Sequence, residues 1–424
     1  MEKNIYEDLR RELKNIPKID IHCHLKLETP NAQNIGDILF YHWVRREFFS
    51  AGGDDEFLVS ERPLEERIKY FLKYFPEIEN TSTIWCVKKI FKDLYGIEKI
   101  DKNSWIKVQE KIEKEKNNED WVKDILLKKL KIEKSYTCYD WRGNLEEEKR
   151  KEREYLKLHL EGICFGPLLG EGLLDFVSKG RENLSESEEY FLKHIKKIVE
   201  NGFISLGIAF DYLFQPVFYP REKLKDIYHR YINGEKISEE EKNALSTNFL
   251  YLLLKEIKGK LTIQVILGAI WKFGGSNLDF RYGESYVMVS HKLIPGLLQI
   301  FKNFPDINFN IYSCTKSLSH EITILARMLP NVSLLGFWWH TLFPGYIREL
   351  ISERLEVLPV NKWILIATDA YNCEWSYGKF SLVENTLVEV LEEKMEKGYF
   401  GFEESLSIAR KIMYENPKRI YNIK

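Results

Sequence analysis

Two histidines separated by one residue, His22 and His24 in Ile-Asp-Ile-His-Cys-His, are the side chains of this 424-residue chain best suited to chemistry. If Lys18 to His24 is extended, the alternation of Ile19, Ile21 and Cys23 with Asp20, His22 and His24 puts the polar set on one face. Residues two apart on a strand leave that face with Cα atoms about 7 Å apart. Two imidazoles so placed can converge on one cation at about 2.0–2.1 Å. The competing reading is a polar pair making ordinary hydrogen bonds at a strand end. Two neutral imidazoles seldom complete a metal site, so a carboxylate is expected from another strand end. Asp369, which terminates Trp-Ile-Leu-Ile-Ala-Thr-Asp, is the leading candidate, and Asp211, after Phe-Ile-Ser-Leu-Gly-Ile-Ala-Phe, is its rival. For Asp369 the plain alternative is helix capping. Asp20, deeper on the histidines' face, is expected to accept from an imidazole and orient it. Cys23 points the other way and is expected to pack.

The elements that position these residues read as an alternation of strands and helices. Leu160–Phe165, Phe203–Phe210, Leu261–Ala269, Ile307–Tyr312, Val332–Trp338 and Trp363–Thr368 are apolar strand candidates. Amphipathic stretches such as Ser185–Asn201, Ser238–Ile257, Tyr286–Asn303, Ser319–Leu329 and Thr341–Leu355 lie between most of them. Apolar strands separated by such helices imply a parallel sheet covered on both faces. With the first strand there are seven candidates, and an eighth is expected near Trp141. The expected fold is therefore an α/β (β/α)8 barrel, whose active sites lie at the C-terminal ends of the strands. A doubly wound sheet is the alternative, without support from any G-x-G-x-x-G after a strand. Residues 31–156 read as almost wholly helical, an inserted cap subdomain after the first strand, with 1–30 and 157–424 forming the barrel.

Bulk properties narrow the function. Hydrophobic residues make up 44% of the chain, ample for a packed core. The 63 basic and 65 acidic residues nearly cancel, which gives no reason to expect nucleic acid or a membrane surface as partner. Six scattered cysteines without a C-x-x-C pair argue against a disulfide framework or a zinc knuckle. The N-terminal stretch is a charged amphipathic helix without an apolar signal core, so the cytoplasm is the expected location.

Ile-Asp-Ile-His-Cys-His-Leu, the segment Tyr-His-Trp-Val-Arg-Arg-Glu-Phe beginning at Tyr41, Leu-Gly-Phe-Trp-Trp-His, Ala-Thr-Asp-Ala and the ending Asn-Pro-Lys-Arg-Ile-Tyr-Asn-Ile together resemble the uronate (glucuronate) isomerase family of the amidohydrolase superfamily. The likeness is strongest toward the two ends of the chain. It implies a (β/α)8 barrel, a divalent metal (Zn, with Mn as the second choice) and ligation by His22, His24 and Asp369. It also implies interconversion of an aldose and a ketose hexuronate: glucuronate with fructuronate, or galacturonate with tagaturonate. The expected partners are a small sugar acid and further copies of the chain in a homo-oligomer.

The chain departs from the family pattern. Tyr371 stands where the family has an arginine after the aspartate, Ile266 and Ile208 stand at family histidines, and Trp271 stands at an arginine. Other residues must then handle substrate. Asp369 is the candidate base, with His340 or Tyr41 assisting at oxygen. Arg45 and Arg46 are candidates to clamp a carboxylate, and Trp338, Trp339 and Tyr371 to contact the sugar. His159, His194, His229 and His291 read as structural. A hydrolase or decarboxylase of the same superfamily is the second functional reading, although only Lys272 is near a position suited to a carbamate bridge. A non-catalytic sugar-acid-binding relative is the third.

Overall fold

The computed structural model describes residues 2–424 except 155–159, 170, 211–213, 271–285 and 289. A parallel sheet forms its centre: β1 (Lys18–Cys23), β2 (Ile132–Asp140), β3 (Leu160–Leu169), β4 (Ser205–Phe210) and β5 (Thr262–Leu267) lie side by side in chain order. A small antiparallel pair follows, β6 (Ala269–Ile270) with β7 (Tyr286–Val287). Then β8 (Phe309–Ser313) joins β5, and β9 (Val332–Leu334) joins β8.

The segment Trp363–Asp369 is the eighth stave. On one side Ile364 N donates to Leu334 O at 2.9 Å; on the other Asp369 N donates to His22 O at 2.8 Å and His24 N to Ala370 O at 2.8 Å. These bonds join β9 to β1 and close a (β/α)8 barrel. The stave forms no regular ladder because two of its amides are used elsewhere. Leu365 N donates to Ile412 O at 3.0 Å, and Thr368 N donates to Asp20 Oδ1 at 2.9 Å.

Inward and outward residues alternate as a barrel requires. On β5, Ile263, Val265 and Leu267 face the outer helices, while Ile266 packs inside with Ile19, Ile21, Tyr136, Tyr312 and Ile364. The chain's Asn-Pro-Lys-Arg-Ile-Tyr ending closes the floor. Ile420 and Tyr421 join the inner cluster, and Ile420 O accepts from Thr262 Oγ1 at 2.6 Å while Tyr421 Oη donates to Asn310 Oδ1 at 2.8 Å. No described helix is long and apolar enough to cross a membrane.

The stretch 31–156 is not helical throughout. Its helices run from Gly36–Leu39 to Asp124–Lys129, after which β2 enters the barrel between β1 and β3. The cap thus ends near Lys129, and β2, ending at Asp140, is the strand expected near Trp141. Glu133 and Lys134 interrupt its apolar pattern, which hides it among helices. The cap is bolted to the barrel through Glu374, whose carboxylate accepts from Ala32 N at 2.9 Å, Trp121 Nε1 at 2.9 Å and Tyr95 Oη at 3.2 Å.

β9 is shorter than its apolar run because Gly336 presses against the eighth stave. A Cβ there would lie 1.9 Å from Leu365 O, whereas one at Gly345, in the helix Pro344–Val357, meets nothing within 4 Å. Gly336→Ala is therefore expected to lower unfolding free energy by about 1–3 kcal/mol. Gly345→Ala should be neutral or stabilising by up to about 1 kcal/mol. Denaturant titration of the two variants makes the comparison.

Candidate metal centre

His22, His24 and Asp369 meet at the mouth of the barrel. Asp369 Oδ1 lies 3.0 Å from His24 Nε2 and 3.7 Å from His22 Nε2. Nitrogen and oxygen donors at about 2.0–2.2 Å from a tetrahedral ion are separated by about 3.3 Å, so these spans suit one small divalent cation. The tautomer of His22 follows from Gln264. That amide spends its Nε2 on Ile21 O at 3.0 Å, so its Oε1, 2.8 Å from His22 Nδ1, must accept. His22 Nδ1 then carries the proton and Nε2 presents its lone pair to the centre. Burial, with the neighbouring His24, pushes the His22 pKa down to about 4, which keeps the ring neutral as a ligand must be.

Asp369 is held from behind. Its φ is 50°, in the left-handed region that side chains other than glycine rarely adopt. Its carbonyl oxygen accepts from Tyr41 Oη at 3.0 Å and from Lys379 Nζ at 2.9 Å, and Lys379 Nζ also donates to Tyr41 Oη at 2.9 Å. Three chain segments thus over-determine one strained residue. Burial alone would raise the pKa of Asp369, but the hydrogen bond from His24 and the charge of Lys379 hold it well below the usual carboxylate range.

Aromatic rings wall the centre. Trp338 stacks on His22 with ring centroids 4.7 Å apart and on Tyr312 at 3.8 Å. Tyr371 stacks on His24 at 5.0 Å, and His42 meets Tyr371 edge-on at 5.3 Å. Trp43 meets His340 edge-on at 4.8 Å, and Trp339, with φ 51°, stacks on His340 at 4.6 Å.

Several expected roles change. Trp338 is 2% exposed, so it braces His22 and offers no face to a sugar. Asp20 orients no ring: it accepts from Thr368 N at 2.9 Å and from the Thr368 hydroxyl. The cause is a register shift between Asp20 and Cys23 that brings Ile21 and His22 both to the interior and breaks strict alternation. Arg45 is buried in a two-pronged pair with Asp55, Nε–Oδ1 and Nη2–Oδ2 both 2.7 Å, so it clamps the cap and not a substrate. Arg46 Nη2 lies 3.8 Å from the same carboxylate, and the residue lines a groove with Lys73, Tyr74 and Thr81, away from the histidines. Tyr41 does reach the centre, but on its backbone side. Burial pushes the His340 pKa down to about 4, so its ring is neutral at pH 7, with one N–H to donate and one nitrogen to accept. Cys23 is buried and packs, as expected. Asp211, Trp271, Lys272 and His159 lie outside the described residues.

Four residues at the centre escape a reading by motif. Gln264 sits inside an apolar strand run, and Lys379 inside a helix whose period makes it one lysine among many. His42 adjoins Tyr41 and was hidden by the arginines after it. Cys138 lies on β2, Sγ 3.5 Å from His22 Nε2. Recognising β2 was the only signal for it.

The fold is a (β/α)8 barrel with a cluster of candidate metal-binding side chains at its mouth. No family model matches the chain. A uronate isomerase of Thermotoga sp. (strain RQ2) is 24% identical over 443 residues, covering 97% of this chain and 96% of the relative. The crystal structure of uronate isomerase from Thermotoga maritima matches with a TM-score of 0.85 at 19% identity, over 99% of this chain and 97% of that one. Glucuronate isomerase from Caulobacter crescentus matches at 0.84 and 14% identity, over 100% and 95%. Over nearly its whole length the chain is thus similar to proteins named uronate isomerase.

Because Gln264 fixes the tautomer and orientation of His22, Gln264→Leu is expected to weaken the binding of a divalent cation at this centre by about 10–100-fold. Competition with a chromophoric chelator measures it, and an unchanged affinity would remove Gln264 from the centre.

Proposed function

We propose that the protein is a metal-dependent isomerase that interconverts the aldose and ketose forms of a hexuronate. The observation that carries this reading is the convergence of Asp369 Oδ1 on two imidazole nitrogens at 3.0 and 3.7 Å in a chain that matches uronate isomerases along its whole length. A nitrogen-and-oxygen donor set favours Zn, with Mn as the alternative. When bound, such an ion polarises the substrate's carbonyl and adjacent hydroxyl oxygens and acidifies the C2 hydrogen.

The chain's own groups do the rest. Asp369 is ionised, buried and fixed in place, so its second oxygen, Oδ2, is the group we assign to taking the proton from one carbon and returning it to the next. Lys379 and Tyr41 hold that carboxylate to one geometry through its backbone carbonyl. Such fixing lowers the barrier by removing motional freedom in advance.

With Arg45 committed to Asp55, the substrate carboxylate needs another partner, and Arg67 is the group we assign. A cavity of about 670 Å³ beside the centre is lined by Tyr371, His42, Phe40, Lys26 and Arg67. Arg67 donates one Nη1 bond to Leu58 O at 3.1 Å, while its buried Nε has no hydrogen-bond partner among the described residues. A bound carboxylate supplies one.

Two measurements follow. Protein loaded with Zn or Mn should turn over D-glucuronate or D-galacturonate, and His22→Ala should abolish it. No turnover of either sugar acid with either metal, across a parallel panel of lactones, amides and aromatic acids, refutes the isomerase. Hydrolysis within that panel would support the hydrolase reading, and thermal stabilisation by a sugar acid without product would support a binding protein. In the active enzyme, Arg67→Met is expected to raise KM about 10–100-fold, the worth of one or two charge-assisted hydrogen bonds, with kcat little changed. An unaltered KM would leave the carboxylate to another group.

A further inference from the structure

We propose that Cys138 is a fourth ligand of the same centre, so that its donor set is His22, His24, Asp369 and a cysteine thiolate. This rests on the metal-centre reading above and goes beyond the histidine–aspartate set that the family resemblance implies.

The argument begins with register. β1 lies between β2 and the eighth stave, so the ends of these three neighbours meet at one point of the barrel mouth. Cys23 pairs with Thr137 across the β1–β2 ladder, which sets Cys138 one step further toward the mouth. The ligand atoms of His22, His24 and Cys138 all lie within 4.8 Å of one another. Cys138 Sγ stands 3.5 Å from His22 Nε2, the nitrogen whose lone pair faces the centre. For zinc, with Zn–S about 2.3 Å and Zn–N about 2.0–2.1 Å, the tetrahedral sulfur-to-nitrogen span is about 3.5 Å. The observed spacing, a hydrogen-bond contact between Cys138 and His22, also matches that of two ligands on one ion.

The surroundings single out this cysteine. Cys23, Cys86, Cys314 and Cys373 are buried, and Cys138 alone of the described cysteines is half-buried. Gln264 spends its oxygen on His22, and Ile266 carries no donor, so neither offers a rival ligand from β5. Cys138 brings sulfur to a site whose other donors are nitrogen and oxygen. On binding, the thiol loses its proton to solvent and the sulfur lone pair forms the bond to the metal. Zinc accepts a fifth donor, which leaves room for a substrate oxygen. A soft thiolate strengthens zinc more than it strengthens manganese, so Cys138 sets the metal preference.

Cobalt(II) substitution tests this without reference to activity. Cobalt-loaded wild type should show a sulfur-to-cobalt charge-transfer absorption in the near ultraviolet beside its visible ligand-field bands. Cys138→Ala should keep the visible bands and lose the charge-transfer band, and its preference for zinc over manganese should fall at least about tenfold. X-ray absorption of the zinc protein should contain one sulfur at about 2.3 Å. Should the variant not fold, wild type suffices: zinc should protect Cys138 from iodoacetamide, read by peptide mass. Ligand-field bands without charge transfer, or a sulfur signal that persists in Cys138→Ala, overturns the cysteine ligand and leaves the His–His–Asp centre standing. Failure to bind any divalent ion overturns both.

Discussion

The geometry of the centre depends on the seam between β1 and the eighth stave, and above all on the backbone of Asp369. Its amide is bonded to His22 O, its carbonyl to Lys379 and Tyr41, and its φ is 50°. A residue in that conformation persists only where surrounding contacts outweigh the strain. Here those contacts come from the first strand, from the cap and from the helix Cys373–Glu396 that follows the stave. The carboxylate is thereby aimed at two histidines from nearly the other end of the chain.

Lys379 shows what that arrangement demands. It is 1% exposed, and its ammonium sits on neutral oxygens, a carbonyl and a phenol, with no carboxylate of the described residues in direct contact. Burial lowers its pKa, and the nearby Asp369 opposes that shift. A buried cation of this kind is expensive unless fully hydrogen-bonded. Together with the hydrogen bond from His24, its field keeps Asp369 ionised in an interior that favours the neutral acid. Charge pairing therefore runs through space from the helix to the carboxylate, while the hydrogen bonds run to the backbone. The cap participates through Tyr41, so an inserted subdomain fixes the centre without supplying a ligand.

How far this was legible in the sequence varied with the kind of signal. The His-x-His pair, Asp369 and the alternating strands each have a pattern that follows from backbone period, and the structure brings those residues together. The strand β2 was expected near Trp141 but without bounds, because Glu133 and Lys134 interrupt its apolar pattern, and Cys138 was not singled out. Asp20 was misassigned because a register shift re-phases β1, and no periodicity reports a bulge. Arg45 looked like a substrate clamp because nothing local announces Asp55 as its partner. Contacts between residues distant in sequence decided the fate of nearly every polar side chain. The chemistry of the ligands was local, and the choice among supporting groups was tertiary.

The seam also bears on how the molecule holds together. Thr368 bonds the Asp20 carboxylate across a separation of 348 residues, yet the seam carries fewer ladder bonds than the regular strand pairs. An ion gripped from both sides of that join would act as a rivet across a lightly stitched edge of the barrel. Whatever binds the closed barrel and not the open chain stabilises it in proportion to the logarithm of its concentration over its dissociation constant. Resistance to unfolding would then rise with occupancy by the ion.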